Sequence, residues 1–366
     1  MTESADLAYM QMAYGLAEKA RGRSSPNPLV GSVIVRAGAI VGQGYHEEAG
    51  KPHAEIMALR EAGRRARGAT LYVTLEPCVH WGRTPPCVDA LIEAGLKRVV
   101  VSAYDPNPVV RRKGVRRLRR AGLDVAVGLL EEKNGRLNEI YAKYITRKIP
   151  FVTLKAALTL DGKTATRTGD SQWISSEATR DYVHLLRGEY DALMVGIHTL
   201  IKDNPLLTVR HPTWGDKKIT RVILDPHLRF PPTARILTTL ARGPILLFAL
   251  EGASPAKAEA LRKKGVEIIP MGKSWKAGGL RFVLADLGKR EIAGLLIEGG
   301  SRLQTGFVES GLADKLVLTV SPKLVGGREA PGFFGGEGIR RIRESLPVNS
   351  LRAFPLGNDL VLEGYL

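Results

Sequence analysis

The 366-residue chain has only two cysteines, too few for a disulfide framework. They can form one bridge, stay as free thiols or serve as metal ligands. No uninterrupted apolar run reaches the roughly 18–20 residues that cross a bilayer. The N-terminus, Met1 to Asp6, lacks a basic start followed by an apolar core, so no signal peptide is expected. A soluble, cytoplasmic protein with no membrane partner is the expectation. Acidic charge is short: 54 Lys and Arg face 37 Asp and Glu, a net +17. Such a surplus draws anions, from phosphorylated metabolites to nucleic acid. Yet the densest basic run, Arg111 to Arg120, has no interleaved aromatics to stack on bases and reads as a solvated helix face. The second half also lacks a G-x-G-x-x-G fingerprint, which argues against an ordinary Rossmann site.

What is present begins with length, which exceeds a single hydrophobic core and points to two domains. Leu7, Met10, Tyr14 and Ala17 recur at helical spacing. Strands are predicted at Val30 to Val35, Ile40 to Gly44, Thr70 to Leu75, Arg98 to Val101 and Asp124 to Val127. Helices fall between them at His53 to Arg65, Cys87 to Ala94 and Arg111 to Ala121. That alternation implies a sheet layered between helices. An amphipathic stretch from Glu131 to Arg147 ends at Ile149-Pro150, dividing the chain into residues 1–148 and 149–366. The pattern restarts with a strand at Phe151 to Ala156, and further strands are expected at Ala192 to Val195, Arg221 to Asp225, Ile245 to Ala249, Leu295 to Glu298 and Lys315 to Ser321. No internal repeat relates the halves.

The chemistry of the first half lies in His53-Ala54-Glu55 and, beyond one strand, Pro77-Cys78 and Cys87. A catalytic zinc site needs three protein ligands and one open position, and His53, Cys78 and Cys87 would supply the three. Glu55, two residues after His53, can face the metal without binding it and carry protons. Helices starting at Cys78 and Cys87 would bring two thiolates to positive dipole ends. Nucleobase deaminases use H-x-E followed by P-C-x-x-C, whereas eight residues separate the cysteines here. Alone, His53 would read as a helix cap and the cysteines as small buried apolar residues. The arrival of Pro77-Cys78 after a strand favours the metal.

These residues bring a family into view. Pro26-Asn27-Pro28-Leu29-Val30-Gly31, Gly42-Gln43-Gly44-Tyr45-His46, His53-Ala54-Glu55, Leu75-Glu76-Pro77-Cys78 and Gly82-Arg83-Thr84-Pro85-Pro86-Cys87 resemble the bifunctional riboflavin-biosynthesis deaminase–reductases. So do Leu160-Asp161-Gly162-Lys163, Ser171-Gln172-Trp173-Ile174, Asp203-Asn204-Pro205-Leu206-Leu207-Thr208 and Glu298-Gly299-Gly300. The resemblance implies an α/β protein: an N-terminal cytidine-deaminase-like α/β/α domain and a C-terminal dihydrofolate-reductase-like α/β domain. It implies Zn2+ and NADPH as cofactors, and a small phosphoribosylaminopyrimidine substrate whose 2-amino group is hydrolysed before its ribosyl chain is reduced to ribityl. A homo-oligomer is common in the family.

By motif match, Asn27 and His46 would lie near the pyrimidine. Ala157, Trp173, Thr199, Asp203 and the run Gly300, Ser301, Arg302, Leu303, Gln304, Thr305 and Gly306 would contact the nicotinamide cofactor. Ser171, Arg187, Leu207, Arg210 and Glu298 would contact the substrate, with Lys155 a polar contact near the reacting sugar. Val79 and Trp81 stand where the family commonly has Ser and His or Tyr, while His80 is retained. Pro226 replaces a serine that contacts the cofactor in some relatives. The cations that would select NADPH over NADH are not identified by sequence.

Physical reading of the second half agrees in kind. Trp173 offers a flat surface for a ring. Glu298 to Ser301 follows a strand and opens a helix, so its amides can cradle phosphate, and Arg187 and Arg210 can clamp the substrate phosphate by bidentate hydrogen bonds. Two rivals remain: a nucleic-acid base deaminase with a non-catalytic C-terminal domain, and a C-terminal half reduced to a structural or oligomerisation module.

Overall fold

The structure, a computed structural model, describes residues 3–81, 85–272 and 278–366; residues 82–84 of the second cysteine motif lie outside the described residues. The chain divides into two compact units, Met1–Lys148 and Ile149–Leu366.

In the first unit α1 (Glu3–Glu18) precedes the hairpin β1 (Gly31–Arg36) and β2 (Ala39–Tyr45). Then come α2 (Ala54–Ala62), β3 (Thr70–Leu75), α3 (Cys87–Glu93), β4 (Arg98–Ala103), α4 (Lys113–Arg120), β5 (Asp124–Val127), α5 (Glu131–Leu137) and α6 (Glu139–Arg147). The strands form one sheet in the order β2-β1-β3-β4-β5, with β1 antiparallel to both neighbours and β3, β4 and β5 parallel. Alternation along β1 sorts the layers. Val33 and Val35 pack with Met10, Tyr14 and Ala17 of α1, while Ile34 between them packs with Ala54 and Ala58 of α2, Leu91 of α3 and Leu118 of α4. The result is the expected α/β/α sandwich.

Local chemistry explains where this unit departs from the sequence reading. The basic run forms α4, with Val115 and Leu118 buried and Arg116, Arg117, Arg119 and Arg120 exposed, as a solvated face requires. The stretch from Glu131 to Arg147 is broken into two helices at Asn138. That side chain leaves the helical pattern to clamp Leu29: the Leu29 N–H donates to Oδ1 at 2.7 Å and Nδ2 donates to the Leu29 carbonyl at 3.0 Å. No helix starts at Cys78, which lies in an irregular loop after β3.

The second unit runs β6 (Phe151–Thr159), α7 (Glu177–Glu189), β7 (Ala192–Gly196), α8 (Ile197–Asp203), β8 (Thr220–Leu224), β9 (Ile245–Ala249), α9 (Pro255–Lys263), β10 (Val266–Pro270), α10 (Gly279–Lys289), β11 (Gly294–Ile297), α11 (Ser301–Glu309), β12 (Lys315–Ser321), β13 (Asn349–Leu356) and β14 (Asp359–Tyr365). Its sheet has the order β10-β9-β8-β7-β11-β6-β12-β14-β13. All neighbours from β10 to β12 are parallel, and β14 and β13 add an antiparallel edge. Parallel sheets need cover on both faces. Met194, Val222, Phe248 and Ile297 join a core with Val283 and Leu287 of α10 and Phe307 of α11, while the intervening Leu193, Ile223, Leu247 and Leu296 are also fully buried. β13 escapes a sequence reading because it is mostly exposed and carries Pro355, which only an edge strand tolerates.

Two candidate active sites

The first site is assembled from the loop before α2, the loop after β3 and the start of α3. Gly42 and Gly44 let β2 and α2 touch backbone to backbone: a Cβ on Gly44 would lie 2.6 Å from the Ala54 carbonyl. The Ser32 hydroxyl donates to that same carbonyl at 2.9 Å, fixing the start of the helix beside His53. His53, Cys78 and Cys87 offer ligand atoms within 4.8 Å of one another. Nδ1 of His53 is 3.2 Å from the Cys87 sulfur and 3.6 Å from that of Cys78. Two tetrahedral Zn2+ ligands, one N and one S at ordinary bond lengths, stand about 3.6 Å apart, so this donor set fits one zinc ion.

Charge within the site is shared. The neighbouring Cys87 thiol and His53 hold the Cys78 thiol well below its ordinary value, and the Cys78 sulfur together with burial pushes Cys87 up. Glu55 is buried, within hydrogen-bonding reach of Cys87, and burial raises its carboxyl against the pull of His53. Cys78 owes its position to Glu76, a residue the sequence reading left without a role. The Glu76 carboxylate accepts from the N–H groups of Arg112 at 2.8 Å, Val115 at 3.0 Å and Asp105 at 3.3 Å. Gly114 makes this possible, since a Cβ there would meet the Pro77 carbonyl at 2.2 Å. Its position directly before Pro77-Cys78 was the one available signal.

Asn27 and His46 form a single unit. Asn27 Nδ2 lies 2.9 Å from His46 Nε2, and His46 Nδ1 lies 3.2 Å from the Pro52 carbonyl. With Nδ1 donating to that carbonyl, Nε2 accepts from Asn27, which assigns a neutral tautomer. Burial also pushes the His46 imidazole toward its neutral form. Its ring meets that of His53 edge-on at 5.1 Å. Val79 packs on the core, whereas Trp81 is exposed.

The second site lies along the carboxyl ends of adjacent parallel strands, where open α/β sheets bind ligands. Thr199 and Asp203 are on α8 after β7, Glu298 to Gly306 follow β11, Lys155 and Ala157 lie on β6, and Ser171 and Trp173 belong to the loop after it. Ser175, in that same loop, comes within 3.3 Å of Thr319 on β12, and Lys323 donates to the Trp173 carbonyl at 2.6 Å. The exposed Trp173 ring carries Arg180 on its face at 4.7 Å. Gln304 ties the glycine segment to β6, its Nε2 donating to the carbonyls of Gly299 at 2.7 Å and Lys155 at 3.3 Å. A Cβ on Gly300 would meet only open space, which leaves room for a ligand to approach that backbone.

One expectation is corrected here. Arg187 does not present a free fork for phosphate: Nε and Nη2 each donate to Glu298 at 2.7 Å, and Nη1 donates to the Thr208 carbonyl at 3.1 Å. The buried carboxylate needs the pairing more than a surface phosphate would. Arg210 is exposed, with Nη1 on the Thr208 hydroxyl at 3.2 Å. Leu207 is buried with φ of 52°, a left-handed conformation of the kind concentrated at functional turns. Burial lowers the Lys155 ammonium, opposed by the charge of Glu298.

Residues 150–362 match the family described as RibD C-terminal domain, and residues 3–103 match the cytidine and deoxycytidylate deaminase zinc-binding region. Riboflavin biosynthesis protein RibD of Aquifex aeolicus is 48% identical over 363 residues, covering 99% of each chain; that of Escherichia coli is 39% identical, covering 98% of each. Among solved structures, Acinetobacter baumannii RibD matches with a TM-score of 0.87 at 37% identity, and a Thermotoga maritima diaminohydroxyphosphoribosylaminopyrimidine deaminase/5-amino-6-(5-phosphoribosylamino)uracil reductase with 0.85 at 36%, each covering 99% of both chains.

Proposed function

Because the chain belongs to the RibD family of riboflavin-biosynthesis proteins, we propose that its first unit deaminates a 2,5-diamino-6-(5-phosphoribosylamino)pyrimidin-4-one and its second reduces the product's ribosyl chain with NADPH. The convergence of His53, Cys78 and Cys87 beside an uncoordinated Glu55 carries the reading. A nucleic-acid base deaminase is disfavoured, since the matched relatives run through both units.

Bound zinc supplies the Lewis acidity that brings a water's pKa toward neutrality. Glu55, its carboxyl raised by burial, would carry a proton from the attacking water to the departing amino group. His53, Cys78 and Cys87 hold the metal. With one amide N–H given to His46, Asn27 keeps its carbonyl oxygen and second N–H for the pyrimidine. His80 Nδ1 is buried with no hydrogen-bond partner among the described residues and is available to the same ring.

NADPH, when bound, would supply the hydride chemistry at the sugar carbon. Ala157, Trp173, Thr199, Asp203 and Gly300 to Gly306 would hold that cofactor, excluding water and aligning the reacting atoms. Glu298, fixed by Arg187, and Lys155 present polar groups to the ribosyl chain. Ser171 and Leu207 complete the substrate wall, and Arg210, with donors to spare, binds the phosphate.

No helix among the described residues is long and apolar enough to cross a membrane, and two free thiols fit a cytoplasmic setting. The exposed Ile342, Leu346, Leu351 and Leu360 about the β13 edge support pairing with a second copy of the chain. The defining experiment supplies the diaminopyrimidine ribotide with and without NADPH and identifies products by mass. Exchange of one amino group for oxygen without NADPH, and two further hydrogens with it, is expected. Unchanged substrate overturns the reading.

A further inference from the structure

Three consecutive parallel strands of the second unit end side by side, with Gly196 of β7 opposite Leu224 of β8, and Leu224 opposite Phe248 of β9. The segment after each carries a side chain able to bear positive charge. His198 lies in the first turn of α8, Arg229 in the loop after β8, and Lys257 in the first turn of α9. The first two meet: Arg229 Nη1 is 3.4 Å from His198 Nε2, and both residues are exposed. Neither group brings a negative charge to this contact.

Asp225 is the acid that faces them. It is fully buried, accepts from the Phe230 N–H at 2.8 Å through Oδ2, and stands 3.8 Å from Arg229 Nε through Oδ1. Burial pushes its carboxyl up, against the pull of Arg229 and Lys257, so it offsets only part of the positive charge around it. Its Oδ1 faces the Nε side of Arg229 beyond hydrogen-bond distance, while Nη1 lies beside His198. Thr199 and Asp203, both read as cofactor contacts, are on the helix that carries His198. Pro226, in the same loop as Arg229, has no side-chain donor.

We propose that His198, Arg229 and Lys257 form the subsite that reads the 2′-phosphate of NADPH and selects it over NADH, an inference that rests on the NADPH-dependent reductase reading above. A phosphate set between Arg229 and His198 replaces the imidazole as acceptor for the guanidinium fork and accepts from the histidine as well. NADH supplies no such acceptor.

The test is calorimetric titration of the full-length protein with 2′,5′-ADP and 5′-AMP, which differ only in that phosphate. Wild type should bind 2′,5′-ADP on the order of 10- to 100-fold more tightly, the range expected for charge-assisted hydrogen bonds. Arg229→Ala and His198→Ala should each remove most of that preference while 5′-AMP affinity persists. Arg229→Ala should also raise the KM for NADPH with little change in kcat. Arg229→Lys, which keeps the charge and the Asp225 contact but loses the fork, should fall between and guards against misfolding of the alanine variant. Equal affinities in wild type, or an undiminished preference in both alanine variants, overturn the subsite and leave the reductase reading standing. Failure to bind either nucleotide, together with no NADPH oxidation, overturns both.

Discussion

Arg187 grips Glu298 through two parallel hydrogen bonds, Nε to Oε1 and Nη2 to Oε2, each 2.7 Å and spanning 111 residues of sequence. The side chains are 12% and 14% exposed, so this is a nearly dry ion pair. Removing one partner strands the other charge. Arg187→Ala is therefore expected to destabilise the second unit by about 3–5 kcal/mol and to abolish reduction, as read by calorimetric unfolding and NADPH oxidation. A wild-type melting temperature would contradict the pairing. The pH dependence has a definite sign. Burial would raise the Glu298 carboxyl, but Arg187 overrides it and holds it at about 2 against an ordinary 4.5. The stabilisation is complete above pH 4.5 and lost as pH falls toward 2.

Asp105 titrates in the opposite sense. Burial raises its carboxyl to about 6 from 3.8, despite hydrogen bonds from the Asn107 N–H at 2.8 Å and the Tyr141 hydroxyl at 3.0 Å. For a raised acid the folded state favours the protonated form, so stability declines as pH rises from 3.8 through 6. Asp105→Asn retains an oxygen for both donors and removes the ionisation. The variant should melt at or above the wild-type temperature at pH 7 and lose the slope between pH 4 and 6; a slope that survives the substitution would assign it elsewhere.

Glu55→Gln should keep zinc and fold normally, because burial already disfavours the charged form of this side chain. Deamination should fall about 10²- to 10⁴-fold, the usual contribution of a positioned acid–base. Metal content and turnover measured on one preparation check both halves of the statement. Wild-type turnover would remove Glu55 from the proton path.

Gly44→Ala tests the seat of α2. Its added Cβ would sit 2.6 Å from the Ala54 carbonyl and 2.5 Å from Met57 Cβ, so helix and strand must separate. A loss of about 1–3 kcal/mol is expected, with deamination falling further than the stability loss alone accounts for, because His53 and Glu55 ride on the displaced backbone. Unaltered melting and activity would show that α2 does not set the site.

Periodicity made the buried elements legible. β3, β5, β9 and β12 fall at the predicted residues because apolar runs bounded by turns have one way to be buried. His53, Cys78 and Cys87 were legible too, because so few residue types bind zinc tightly. What escaped depended on pairing across distance. The break at Asn138 exists only because Leu29 needs a partner for its backbone, and the loss of Arg187 as a free phosphate clamp follows from a carboxylate far along the chain. Cys78 reads as a helix start but sits in a loop, because Glu76 collects the amides of the Asp105–Val115 segment instead of letting its own chain coil. β13 carries its burial signal only weakly, being an edge with one face open.

Elemental analysis of protein purified without chelators decides whether His53, Cys78 and Cys87 hold a single zinc ion. One zinc per chain is predicted in wild type, with Cys78→Ser losing both the metal and deamination while reduction of the preformed uracil substrate continues. Absence of stoichiometric metal from wild type, or full zinc retained by Cys78→Ser, would contradict it.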